Sequence, residues 1–208
     1  MHIELTEMLR CPESHREDVM VLSTGEMLGR MVRFGVVGCP VCRKEYLIKD
    51  GIVDFTRTET RDAGNVGIPS TSHPASRIPP PAAAELQALL ELSGPGGFVV
   101  LVGDATRHAV GLANLMAGIH FIGINAPSDV EELPVLSLLR TKSVVPLRQS
   151  IARGVVVGRD LATSSWLVEA HRVLLRGRRF VALHEKPELP IGLEKLAVAK
   201  GLWVGEKK

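Results

Sequence analysis

A small β-rich ribbon followed by a doubly wound, mainly parallel α/β sheet is the fold class this sequence predicts. Three observations carry that expectation. Cys39-Pro40-Val41-Cys42 sets two thiols in C-x2-C spacing on a tight turn, with Cys11 and His15 upstream. A Pro/Ser/Thr/Gly-rich stretch over 57–81 divides the chain. Beyond it, short apolar runs alternate with helical patterns, the rhythm of a parallel sheet.

Taken in order, Ile3–Leu9 reads as a short helix or an extended lead-in. Asp18–Leu22 and Met31–Val37 read as strands bounded by Gly25, Gly29 and Gly38. Tyr46–Ile48 and Ile52–Phe55 flank Asp50-Gly51, a strong hairpin signal. The stretch 57–81 closes on Pro79-Pro80-Pro81; it lacks an apolar face and reads as a linker stiffened by polyproline geometry. The domains expected are therefore a ribbon over 1–56, the linker over 57–81 and a sheet domain over 82–208.

In the second domain Ala82–Leu92 is an alanine/leucine helix stopped at Gly94-Pro95. Phe98–Val102 is apolar throughout, as a strand covered on both faces should be. A helix near Arg107–Met116 and a strand over Ile119–Ile124 follow. A helix near Val130–Arg140, a strand over Ser143–Leu147 and a strand over Gly154–Gly158 come next. A helix over Ser164–Leu175 and a strand over Arg179–Leu183 precede a helix around Gly192–Lys200 and a short strand, Leu202–Val204. About six strands result.

The thiol spacing points to a metal. Two thiolates on a C-x2-C turn are half of a tetrahedral zinc site, and Cys11 with His15 supplies the other half. Cys11, His15, Cys39 and Cys42 use all three cysteines of the chain. Ser14 stands where a second thiolate would complete a Cys-Pro-x-Cys knuckle, and Glu13 is the alternative donor. A small ribbon gains from such a cross-link folding energy that its own core does not supply.

The 208 residues leave room for one medium or two small domains, and hydrophobic residues at 45% are enough for a real core. Aromatic residues are only 4%, so that core is aliphatic. A net charge of +2 argues against a strongly electrostatic nucleic-acid binder. The halves are alike in this respect, with 10 basic and 11 acidic groups in residues 1–81 and 15 and 12 after them. No apolar run has the length of a membrane span, no signal peptide precedes the zinc motif, and the cysteine spacing suits a reducing compartment. A cytoplasmic protein is expected.

Leu9-Arg10-Cys11-Pro12, Gly38-Cys39-Pro40-Val41-Cys42 and Tyr46–Ile52 resemble the small zinc-ribbon activator of RNA and protein methyltransferases. The second half resembles a class I S-adenosylmethionine-dependent methyltransferase, most clearly over Glu169–Val181. That resemblance implies a Rossmann-like sheet, and a last antiparallel strand for which the chain looks too short after Leu183. An open sheet edge is the consequence expected.

The resemblance also says where a cofactor would sit. The family ends its first strand in an acid and spaced glycines; here Leu101-Val102-Gly103-Asp104-Ala105-Thr106-Arg107 keeps Gly103 alone. The acid that holds the ribose at the end of the second strand is replaced by Asn125, which lacks the charge. Arg148-Gln149-Ser150 stands where an acidic adenine contact is expected, and Ile151–Gly154 replaces an Asp-rich entry to strand four. Residues that set the fold survive, while those that hold the ligand do not.

The function expected is thus a zinc-binding scaffold or accessory protein whose methyltransferase-like domain no longer binds cofactor, working through a protein partner or a homodimer. The alternative is an active methyltransferase with S-adenosylmethionine in an atypical pocket around Gly103, Asp104 and Asn125. Other candidates have plainer readings. Asp104 and His108 read as an acid/base pair or as a helix start with Asp104 as N-cap. Arg172, Arg176, Arg178 and Arg179 read as a phosphate contact or a solvated helix end, and His120 as a satisfied core or edge histidine.

Overall fold

The computed structural model describes residues 1–15, 18–57, 81–92 and 94–208. Most of the expected linker lies outside the described residues. No helix among them is long and apolar enough to cross a membrane.

The ribbon opens with a 3-10 helix, Ile3–Met8, followed by β1 (Val21–Leu28), β2 (Met31–Gly38), β3 (Glu45–Lys49) and β4 (Ile52–Asp54). Asp50 and Gly51 both take positive φ, 52° and 78°, between the paired residues Lys49 and Ile52. This is the two-residue turn that the Asp-Gly pair predicts. The second half contains α1 (Ala83–Leu90), β5 (Phe98–Val102), a 3-10 helix Gly103–His108 running into α2 (Ala109–Leu115), and β6 (His120–Ile124). After β7 (Leu136–Arg140) and β8 (Ala152–Val157) come a 3-10 turn, Arg159–Leu161, and α3 (Ser164–Val173). The chain then forms β9 (Leu174–Ala182), β10 (Leu193–Ala199) and β11 (Leu202–Lys207).

The eleven strands of the described residues belong to one sheet, ordered β1-β2-β3-β4-β7-β6-β5-β8-β9-β11-β10. From β4 to β9 each neighbouring pair is parallel, and β11 runs antiparallel to both β9 and β10. The second half is therefore a mainly parallel sheet of Rossmann-like order, with its switch point between β5 and β8. Both faces are covered. Leu86, Leu90 and Leu112 of α1 and α2 pack on Val99, Leu101, Phe121, Val156 and Val181. Trp166, Leu167, Ala170 and Val173 of α3 join Val100, Ile122, Val155 and Phe180 on the opposite face. The alternation of β5 between the two cores explains its unbroken apolar run.

The ribbon is built into this sheet. Ile52, Val53 and Asp54 of β4 pair in parallel with Leu138, Leu139 and Arg140 of β7. Leu5, Leu9, Tyr46 and Val53 are buried in the same core as α3. Leu9 bridges to Leu147, Arg10 N–H donates to the Pro146 carbonyl, and Arg148 N–H donates to the Met8 carbonyl. The N-terminal helix thereby covers a sheet face beside β7, where the chain between β7 and β8 has no helix among the described residues.

Four expectations are corrected. Val130–Arg140 is not a helix: Pro134 lacks an N–H and would clash with the preceding turn, and the chain enters β7 two residues later. Because β7 fills the third parallel position, Ser143–Leu147 is not a strand; Val145 and Leu147 are buried against the N-terminal segment instead. Gly192–Lys200 is not a helix either. Lys200 and Gly201, at φ 50° and 79°, form a two-residue turn that folds β10 onto β11. The antiparallel strand expected to be missing is β11, so the open edge falls on β10. Smaller shifts affect α1, which ends at Leu90 with Glu91 in the left-handed region, and β9, which begins directly after α3.

Candidate functional site

Two places carry the expected chemistry: the cysteine knuckle of the ribbon, and the crevice at the C-terminal ends of β5, β6 and β8.

At the knuckle β2 ends, and Cys39–Arg43 turns back into β3. Arg43 N–H donates to the Cys39 carbonyl, Cys39 N–H donates to the Lys44 carbonyl, and Arg43 takes φ 59°. The turn aims both of its thiols at Cys11. Cys11 Sγ lies 3.6 Å from Cys42 Sγ, and Cys39 Sγ lies 3.4 Å from His15 Nε2. The donor atoms of Cys11, His15, Cys39 and Cys42 all fall within 4.8 Å of one another. With Zn–S near 2.3 Å and Zn–N near 2.0 Å, a tetrahedron has S···S edges of about 3.8 Å and S···N edges of about 3.5 Å. The donor set fits zinc in type, number and spacing. Glu13, the alternative donor, instead pairs with Lys44 at 2.7 Å.

Electrostatics at the knuckle are those of a site short of positive charge. Burial pushes the Cys11 thiol up to about 11, although the Tyr46 hydroxyl lies 3.5 Å from its sulfur. Burial acts in the same direction on Cys39, but the N–H groups of Cys42 and Val41 outweigh it and hold that thiol below its ordinary value. A divalent cation here would remove the cost of ionising Cys11.

The crevice is arranged differently. Gly103 takes φ 65° at the end of β5, and a Cβ there would strike the Asp160 carboxylate. A Cβ at Gly158, after β8, would strike Asp104 Oδ1. The two acids cross over: Asp104 N–H donates to Asp160 Oδ1 and Arg159 N–H donates to Asp104 Oδ1, both at 2.9 Å. Asp104 therefore ties two chain segments together and does not act as the N-cap expected; the helix Gly103–His108 has no side-chain cap. Burial pushes the Asp160 carboxyl up to about 6, and the neighbouring Asp104 charge adds to this.

Asn125, at φ 51°, spends its side-chain amide locally. Its Nδ2 donates to the Thr141 carbonyl at 2.9 Å, and its Oδ1 accepts from Thr141 N–H at 2.8 Å. Arg107 ends in an ion pair with Asp129 at 3.0 Å on the surface. His108 is held below its usual pKa by burial, with Asp104 pulling the other way. Gly103, Asp104 and Asn125 thus lie at one sheet end, with Asp104 and Asn125 hydrogen-bonded within the protein.

The other candidates resolve into structure. Arg172 grips Glu169 and the carbonyls of Val145 and Leu147. Arg179 pairs with Glu91 and Glu206. His120 Nε2 shares a 2.9 Å hydrogen bond with Ser137 Oγ. Sequence reasoning missed Asp160 and Thr141. An acid two residues after the glycine that ends β8 was a usable signal for the first; nothing local marked the second.

No family model matches the chain, and no curated protein matches it in sequence. Solved structures do resemble it. The complex between the Haloferax volcanii Trm112 methyltransferase activator and a putative methyltransferase matches with a TM-score of 0.47 and 14% identity, over 61% of this chain and 88% of that one. The antibiotic-resistance methyltransferase Kmr matches at 0.44 and 14%, over 60% and 92%. The geranyl diphosphate C-methyltransferase of Streptomyces coelicolor A3(2) matches at 0.41 and 15%, over 48% of this chain and 41% of its own. Likeness at this level supports no assignment of activity, and the description of the fold rests on the strand order itself.

Proposed function

We propose that this protein is a zinc-binding scaffold or accessory protein, built on a methyltransferase-like sheet that has lost S-adenosylmethionine binding and catalysis, and that it acts through protein–protein contact. The observation that supports this most is the occupied crevice. Ligands of open parallel sheets enter beyond the strand ends at the switch point, and here Asp104 and Asp160 bond across that place. Both ends of the Asn125 side-chain amide are engaged by the Thr141 backbone, which fixes its orientation at the place where a ribose would bind.

In this reading Cys11, His15, Cys39 and Cys42 hold one zinc ion, which supplies folding energy to a ribbon over 1–56. Residues 57–81 link it to the sheet domain over 82–208, and β4 joins the two. The reduced thiols suit the cytoplasm. Among the described residues the outer strands β1 and β10 each have one sheet neighbour, so either offers a ladder to a partner or a second copy of the chain.

Calorimetric titration with S-adenosylhomocysteine tests the proposal. No binding at millimolar ligand is expected. Micromolar binding would overturn it in favour of an active methyltransferase around Gly103, Asp104 and Asn125.

A further inference from the structure

The crossed carboxylates at the switch point have chemistry beyond filling space. Asp104 belongs to the helix that follows β5, and Asp160 to the turn that follows β8. Each accepts a backbone N–H from the other segment at 2.9 Å. A Cβ on Gly158 would meet both Asp104 Oδ1 and Asp160 Oδ1, so the two oxygens flank a single point. Two carboxylates placed this way repel when both are ionised and hold together when one proton lies between them.

We propose that Asp104 and Asp160 form a proton-operated latch that closes the crevice between the helix Gly103–His108 and the turn Arg159–Leu161. In the protonated state one carboxyl donates to the other, and both backbone N–H bonds are kept. Loss of that proton sets two charges against each other and weakens the closure without abolishing it, since both backbone N–H donors remain. No bond other than these hydrogen bonds changes, and the proton goes to solvent.

The surroundings supply little compensation. On the helix Gly103–His108, Arg107 is committed to Asp129 of the loop after β6, although its charge is felt by both acids. His108 is the second titrating group there, and it interacts with Asp104. On the facing turn, Arg159 Nε donates to the Leu183 carbonyl. The strands beneath, β5 and β8, contribute apolar side chains here, with Val102 and Val157 buried. Burial favours the neutral acid, and the Asp160 carboxyl titrates near 6 in consequence.

Amide hydrogen exchange of the full chain reads the latch directly, because the Asp104 and Arg159 N–H groups are its donors. A rise of the Asp160 carboxyl from 3.8 to about 6 corresponds to a roughly hundredfold shift of the closed-to-open ratio. Protection of these two amides, corrected for the intrinsic rate, is expected to fall roughly 25-fold between pH 4.5 and 7.5, the part of that shift lying in this window. Asp160→Asn removes the titrating group and should leave protection flat; Asp104→Asn serves the same purpose if the first variant does not fold. His108→Gln should keep the wild-type dependence. Flat protection in the wild type would overturn the proposal. So would a fall shared equally by the amides of β5 and β8, or dependence abolished by His108→Gln alone.

Discussion

Ile52 of the ribbon lies opposite Leu138 of β7 in a parallel ladder, which makes the two halves of the chain a single sheet. Val53, one residue on, is fully buried in the core that also holds α3. An N-terminal segment joined in this way is a wall of the sheet that follows it. Expressed alone, residues 82–208 would expose the backbone of β7 and the apolar face that Leu5 and Leu9 cover. That fragment is expected to aggregate under conditions where the full chain stays in solution; gel filtration of the two side by side checks this, and a monomeric, folded fragment would contradict it.

The proposed zinc site gives a second prediction. Elemental analysis of purified wild type should find about one zinc per chain, lost in Cys42→Ser. Removal by chelator should lower the thermal midpoint, since the thiolates then lie close together without a cation between them. His15→Ala should weaken zinc binding without abolishing it. Wild type free of metal after purification in zinc-containing buffer would count against the site.

Glu169 is the pin between the halves. Its Oε2 accepts from Arg10 at 3.2 Å, Arg172 at 2.9 Å and Val145 N–H at 2.9 Å, with its side chain 16% exposed. Glu169→Ala leaves two largely buried guanidinium groups and an amide without this acceptor, a cost of about 3 kcal/mol. Glu169→Gln should cost less. Urea unfolding at pH 7.5 checks the order, and equal midpoints for alanine and wild type would show that the cluster contributes nothing.

His120 sets a pH dependence whose sign can be worked out. Burial, with smaller contributions from His2 and the chain's terminal amine, holds its imidazole down to about 4, against an ordinary value of 6.5. The unfolded chain therefore binds more protons between those values. The stabilisation is complete above pH 6.5 and is lost as pH falls toward 4, by roughly 3 kcal/mol at most. Comparing urea midpoints of wild type and His120→Gln at pH 7.5 and 4.5 isolates this from zinc loss and from Asp160. The wild type should lose more stability than the variant.

Much of this was legible in the residues, and the failures have physical causes. Asp50-Gly51 announced its hairpin, and the alternation of Phe98–Val102 with helical stretches announced the parallel sheet. Val130–Arg140 misled because apolar spacing outweighed Pro134 in the reading, although one missing N–H decides the matter. Gly192–Lys200 is rich in helix formers, yet pairing with β11 through the Lys200-Gly201 turn overrides propensity. The convergence of Cys11, Cys39 and Cys42 could be read from spacing, whereas the choice between His15 and Glu13 beside them could not. The Asn125–Thr141 and Asp104–Asp160 contacts span 16 and 56 positions, and no local pattern encodes a partner that distant.

Asn125 offers a direct probe of the ribose position. Asn125→Asp restores the acid that the methyltransferase resemblance calls for, but it also removes the N–H donated to Thr141. The variant is expected to lose about 1–2 kcal/mol of stability and to gain no affinity for S-adenosylhomocysteine. A variant that binds the ligand would show that the crevice needs only the missing charge.

A crystal structure grown with zinc and millimolar S-adenosylhomocysteine tests the central claim most directly. The prediction is a zinc ion among Cys11, His15, Cys39 and Cys42, with no adenosine beside Gly103. Adenosine density at Gly103, with its ribose on Asn125, would contradict the account.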